Sequence, residues 1–234
     1  MSVQLAKSRF RLALSALTSG NPWVVLRAMG RRVYGNDYDF ELRRDLSVSV
    51  PTPATALPVC VRPVQKQELE RILSAQYAGA SEAGIMWRKR RLAAEFHAPI
   101  QTCYIAVTQA GEPCFLIWLF SSEQNAEAKA LYGAEFTDLR PGEVLFERAF
   151  TLEGFRRKGI MSHVVARLAE IVRDQGARWA ITYIYCDNKA ALNGFEKAGF
   201  SVSASRIEQW RLLRHSFRVL PVDSQSLARP ISPD

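Results

Sequence analysis

Phe150–Val172, FTLEGFRRKGIMSHVVARLAEIV, reads as the end of a strand, a turn carrying Arg156, Arg157, Lys158 and Gly159, and a helix. Its apolar residues Ile160, Val164, Val165, Leu168, Ile171 and Val172 recur three or four apart, which predicts one buried helical face over Ile160–Gln175. The physics of the turn is anion binding. Backbone N–H groups around Arg157–Met161 and the positive end of the helix dipole near Ile160 face an anion the size of a diphosphate. Gly159 lets the backbone approach that anion without a β-carbon, the three cations add charge, and Ser162 supplies a hydroxyl donor.

Working outward, short apolar runs alternate with helical stretches, the pattern of an α/β arrangement. Strands are expected at Pro58–Val64, Thr102–Thr108, Pro113–Phe120, Glu143–Leu152, Trp179–Cys186, Ser201–Arg206 and Gln209–Val219. Helices are expected at Gln65–Tyr77, Ser81–His97, Glu123–Tyr132 and Asn188–Ala198, the last stopped by Gly199. Upstream, the apolar stripe of residues 3–18 and the Asn21-Pro22 start of a second helix predict a hairpin through Tyr34. Residues 35–57 show little regular periodicity and contain Pro51 and Pro53, so they read as a linker. The expected organisation is 1–57 as hairpin and linker, 58–220 as the main domain and 221–234 as a loose tail.

The spacing Arg156-x-x-Gly159-x-Met161, followed by Asn188-Lys-Ala-Ala-Leu-Asn-Gly-Phe195-Glu-Lys-Ala-Gly199-Phe200, resembles the two signatures of the GNAT superfamily of acyl-CoA-dependent N-acyltransferases, R/Q-x-x-G-x-G/A and N-x-x-A-x-x-x-Y/F-x-K-x-G-F. The resemblance extends over residues 58–219. It implies an α/β (α+β) fold with a mixed, mostly antiparallel twisted sheet, helices on both faces, and a V-shaped splay between the strands ending near Leu152 and Cys186. It further implies acetyl-CoA or another acyl-CoA as co-substrate. The pantetheine would pair with the backbone of Phe150, Thr151 and Leu152. The pyrophosphate would rest over Arg157, Lys158, Gly159, Ile160, Met161 and Ser162, near Arg156, and Asn188 and Phe195 would stand by the pantetheine arm. There are two departures: Met161 stands where the pattern has glycine or alanine, and Phe195 stands where many members carry a proton-donating tyrosine.

The implied chemistry is direct attack on the thioester by an amine of a small-molecule or peptide acceptor, which needs a general base. Glu147 and Glu143 lie four apart and share a strand face. They are the candidates for the base, with pairing to Arg148 or Arg211 as the alternative. Tyr185 and Tyr183 share a face of the next expected strand and could replace the missing proton donor. His163, His97 and Cys186 are weaker candidates, without triad spacing. Two alternative functions stand beside this one: an acyl-CoA-binding module with little or no turnover, and a membrane-surface acyltransferase using an acyl-carrier-protein donor.

Composition bounds these readings. The chain has 234 residues, 48% of them apolar and 23% charged, which excludes a disordered, collagenous or repeat protein. No apolar run approaches the roughly 20 residues of a membrane span, and the basic, interrupted N-terminus is unlike a secretory signal. A cytoplasmic protein is expected. The net charge of +8 is concentrated in residues 1–64, with nine Lys and Arg against four Asp and Glu. It suits anionic company, with contact of residues 1–34 to the inner membrane face and a homodimer as further partner expectations. Nucleic acid is disfavoured, because no stacking-aromatic motif or recognition helix accompanies the charge. Cys60, Cys103, Cys114 and Cys186 show no metal-ligand spacing, so they read as reduced core residues and no metal is expected.

Overall fold

A computed structural model describes residues 33–65, 67–68, 72, 103–132, 136–212 and 214–221. The expected N-terminal hairpin, the helices at 65–77 and 81–97 with His97, and the tail after Pro221 fall wholly or largely outside the described residues.

The chain folds as a mixed α/β structure on one eight-stranded, mostly antiparallel sheet. Its strands are β1 (Tyr34–Asp45), β2 (Val59–Pro63), β3 (Cys103–Thr108), β4 (Pro113–Ser121), β5 (Glu143–Thr151), β6 (Trp179–Tyr185), β7 (Ser201–Arg211) and β8 (Arg214–Pro221), and the described helices are α1 (Asn125–Tyr132), α2 (Ile160–Asp174) and α3 (Lys189–Lys197). The spatial order is β2-β3-β4-β5-β6-β1-β7-β8. Strand β4, PCFLIWLFS, is apolar on both faces because both are covered. Phe115, Ile117 and Leu119 join one core with α2 and α3. Leu116, Trp118 and Phe120 join a second core, with Ile72, Ala128 of α1, Phe136 and Leu139, on the opposite face. Helix α2 turns the stripe Ile160, Val164, Val165, Leu168 and Val172 inward and leaves Arg167, Arg173 and Asp174 outside, as the period predicts.

The main correction concerns β1. Residues 34–45 form a strand inserted between β6 and β7, paired with both, where a linker was expected. The alternation is present in YDFELRRD: Phe40 and Leu42 face the α2–α3 core, while Asp39, Glu41 and Arg43 face the other side. It was obscured because the second face carries charges that are buried and paired instead of solvated. The last two strands also differ from expectation, with their turn at Leu212 (φ +47°) instead of near Ile207. No Gly, Asn or Pro marks that turn. Of the cysteines, Cys103 and Cys114 are buried, whereas Cys60 is exposed on edge strand β2 and Cys186 is half-buried. No helix among the described residues is long and apolar enough to cross a membrane.

Candidate active site

The centre of the sheet opens. Strands β5 and β6 are parallel and pair only over Glu143–Leu145 and Trp179–Ile181. Beyond that their facing edges have no ladder partner among the described residues. A bulge in β5 follows at once: Leu116 pairs with Phe150 and Trp118 with Glu147, so Arg148 and Ala149 together oppose Ile117. Arg148 takes φ +56° to make the bend. Interior strand edges with unpaired amides are costly unless something pairs with them. An extended ligand carrying its own amides meets that requirement around Phe150 and Thr151, both half-buried at the open end, whereas Leu152, expected to share in it, already donates its N–H to the Cys114 carbonyl at 3.1 Å and accepts the Phe155 N–H at 2.9 Å.

Past β5 a 3₁₀ turn (Glu153–Phe155) leads into the basic turn and α2. Among the described residues, no acceptor meets the backbone N–H of Arg157, Lys158, Gly159, Ile160, Met161 or Ser162. Arg157 (φ +62°) and Gly159 (φ +76°) both lie in the left-handed region and curl the turn at the helix start. The side chains are less free than the sequence implied. Arg156 Nε donates to the Thr151 carbonyl at 3.2 Å, Ser162 Oγ donates to the Gly159 carbonyl at 3.1 Å, and Lys158 Nζ sits 5.3 Å from the centre of the Phe155 ring. The backbone, more than these side chains, is what remains available to an anion.

The reason for glycine at 159 also differs from expectation. A β-carbon there would stand 2.8 Å from the Ala54 carbonyl oxygen, on a segment that runs behind the turn, so Gly159 is required by its φ and by this close approach. Met161 sends its side chain toward α3, reaching Gly194. Asn188 caps α3, its Oδ1 accepting from the Ala191 N–H at 3.2 Å, with no acceptor for its own N–H groups among the described residues. Phe195 is 2% exposed and packs edge-on to Phe200 at 5.1 Å. It is a core residue, and its ring is not offered to the opening.

On the face away from α2 and α3, polar side chains line up across four strands. Extending the β5–β6 register two residues past the last pair brings Glu147 level with Tyr183 across the opening. Tyr183 pairs in register with Glu41 of β1, and its hydroxyl donates to Glu41 Oε2 at 3.3 Å. Ser203, the extra residue of a bulge in β7, comes within 3.0 Å of Glu41 Oε1. One level further out, Asp39, 5% exposed, is gripped by Arg206 Nε and Nη2 at 2.9 and 2.8 Å. The Arg206 guanidinium lies 4.3 Å over the Tyr183 ring. Burial first, and then the Glu41 charge, push the Tyr183 hydroxyl up to about 12 against the opposing pull of Arg206.

Glu143 sits at the closed end of the opening, 6% exposed, bound to Arg43 Nη1 at 3.0 Å and accepting the Arg140 N–H at 2.8 Å. It is an ion-pairing residue of the sheet. Glu147 is half-buried at the level where the strands part. Tyr185, on the same face as Tyr183 and 56% exposed, stands at the mouth. Sequence alone does not single out Glu41, Asp39 and Arg206: the first two lie in the segment that reads as linker, Arg206 lies in an expected strand, and a buried ion pair leaves no spacing signature.

A family profile described as acetyltransferase (GNAT) family matches residues 69–200. The chain belongs to the GNAT acetyltransferase family. Among solved structures it is similar to a GCN5-related N-acetyltransferase from Sphaerobacter thermophilus, with TM-score 0.50 and 14% identity over 80% of this chain and 56% of that one. It is also similar to a GCN5-related glucosamine N-acetyltransferase region of a fungal multi-domain GH3 β-N-acetylglucosaminidase, with TM-score 0.50 and 12% identity over 77% of this chain and 22% of that one. The chain thus spans little more than half of the first protein and less of the second. At these identities the likeness is one of fold. No curated protein sequence matches the chain.

Proposed function

We propose that the protein transfers an acetyl or longer acyl group from an acyl-CoA to an amine by direct attack on the thioester. The observation that carries this reading is the adjacency of two unsatisfied backbone surfaces, the parted edges of β5 and β6 and the N–H groups of Arg157–Ser162. The first suits an amide-bearing arm and the second a diphosphate, and a coenzyme A thioester carries both. When bound, it supplies the acyl group and a thiol leaving group.

The chain's own residues divide the remaining work. Phe150 and Thr151 present backbone groups to the arm, with Asn188 available to it from the start of α3. Arg157–Ser162 hold the diphosphate, and Arg156, Arg157 and Lys158 add positive potential. Glu147 takes the proton of the incoming ammonium through water, since a protonated amine has no lone pair with which to attack. Unpaired N–H groups along the open β5 edge face the charge that develops on the carbonyl oxygen. Phe195 cannot return a proton to the thiolate. Tyr183 is tied to Glu41 and holds its proton tightly, so Tyr185, exposed at the mouth, is the proton donor.

The test is calorimetric titration of the protein with acetyl-CoA and a longer acyl-CoA, followed by a screen of amines with Glu147→Gln as control. Binding, and acyl transfer that the substitution abolishes, support the reading. A folded protein that binds neither thioester overturns it.

A further inference from the structure

The segment ahead of β2, residues 50–57, has no regular structure, yet it is fastened first to α2 and then to the basic turn. At its start Val50 packs on Gly199, where a β-carbon would come 2.9 Å from Val50 Cγ1. Thr52 Oγ1 donates to Glu170 Oε1 at 2.9 Å, and the Pro53 carbonyl lies 2.8 Å from His163 Nδ1. The Ala54 carbonyl closes on the Cα of Gly159. The Ala56 N–H donates to the Lys158 carbonyl at 2.9 Å, and Thr55 Oγ1 lies 3.1 Å from that same oxygen and 3.1 Å from the Leu57 carbonyl, its one proton shared between the two. In a trans peptide the carbonyl and the following N–H point in opposite directions. A segment that holds the Lys158 carbonyl from behind therefore turns the Gly159 N–H outward, away from itself.

We propose that residues 52–57 are a positioning strap for the phosphate-binding turn, with Thr55 and Ala56 as its working residues. This inference rests on the acyl-CoA reading of the same site. The turn needs such support, because Arg157 and Gly159 both hold left-handed backbone and the run of unaccepted N–H groups has no internal bonding to fix its direction. The strap sets these donors before the ligand arrives, so that its binding does not have to meet the cost of ordering them. It touches the turn and α2 in every contact given above except that of Val50 and that of Thr55 with Leu57 inside the segment, and none of those contacts is to the parted edges of β5 and β6. Its contribution therefore goes to the diphosphate end of the donor and not to the thioester arm.

Two donors separate the ends: acetyl-CoA, which carries the diphosphate, and S-acetylpantetheine, which does not. Thr55→Val keeps the side chain's shape and removes the hydroxyl. It is expected to weaken acetyl-CoA binding by roughly three- to tenfold, the worth of one hydrogen bond, and to raise the KM for acetyl-CoA with kcat at saturation unchanged. S-acetylpantetheine affinity stays at the wild-type value, and Thr55→Ser restores acetyl-CoA binding. Ala56→Pro, which deletes the N–H bonded to Lys158, gives a larger loss of the same selectivity; the Thr55 pair carries the test if that variant does not fold. Equal weakening for both donors, or no change for acetyl-CoA in Thr55→Val, overturns the strap. A wild-type protein that binds neither donor overturns the acyl-CoA reading itself, and the strap with it.

Discussion

The terminal methyl of Met161 occupies the space that a β-carbon on Gly194 would need: Cε lies 2.1 Å from that position, with Sδ at 3.4 Å. The bulk at the second small position of the turn is thus taken up between α2 and α3. A double-mutant cycle reads this pairing directly. Gly194→Ala gains about 1 kcal/mol of helix propensity but must displace the end of the flexible Met161 side chain, so in the wild-type background the gain is expected to be offset and the net change to lie near zero. In a Met161→Ala background the space is free and the same substitution stabilises by about 1 kcal/mol. Urea unfolding of the four proteins checks this, and additive effects would sink it.

Strand β1 carries a second prediction, because it bonds β6 on one side and β7 on the other and buries Leu42 completely. A chain starting after Asp45 loses an internal strand and exposes two long sheet edges at once. Such a truncation is expected to show no cooperative thermal transition, and Leu42→Ala in the full chain costs about 2–5 kcal/mol. A truncated protein that melts cooperatively near the wild-type temperature would show instead that β1 is an appendage.

The turn at Arg156–Met161, the helices on either side of the notch and the central strands were all legible, because each rests on a local signal: a glycine in a basic turn, a 3.6-residue period, a run of apolar residues. What sequence concealed was non-local. Glu41, Arg43 and Asp39 look like a solvated charge run until Arg206, Tyr183 and Glu143 are brought from far along the chain to pair with them. What the side chains of Met161 and Ser162 meet, and what a side chain at 159 would meet, is non-local or conformational in the same way. The partners are Ala54, Gly194 and the Gly159 carbonyl, and a motif names a residue without naming what its side chain meets.

Burial of the Tyr183 hydroxyl, with the Glu41 charge beside it, gives stability an alkaline signature. The hydroxyl is raised from 10.0 to about 12 in the folded protein. Below pH 10 it is protonated in both states and costs nothing. As pH rises from 10 through 12, the unfolded chain has lost this proton and the folded chain has not, so folding must take it up and stability falls, by about 2–3 kcal/mol in all. Tyr183→Phe removes this contribution. Denaturant unfolding at pH 9, 10 and 11 should show the wild type losing stability faster than the variant, and parallel curves would show that Tyr183 is not held in this way.

Glu143 and Glu147 share a strand and a face, and their substitutions are expected to fail differently. Glu143→Gln leaves Arg43 with one carboxylate fewer in a half-buried place, costing about 1–3 kcal/mol of stability, while the folded fraction keeps its turnover. Glu147→Gln should lower kcat by about 10²–10⁴ in the folded protein, whatever it does to the unfolding midpoint. The deficit should also depend on pH. A base is needed only while the acceptor is an ammonium ion, so the gap between wild type and Glu147→Gln narrows as pH approaches the acceptor's own pKa and free amine becomes abundant. A pH–rate profile on both proteins with one amine reads this out. A deficit that stays constant across pH would assign Glu147 to binding or to structure, and would leave the proton to water alone.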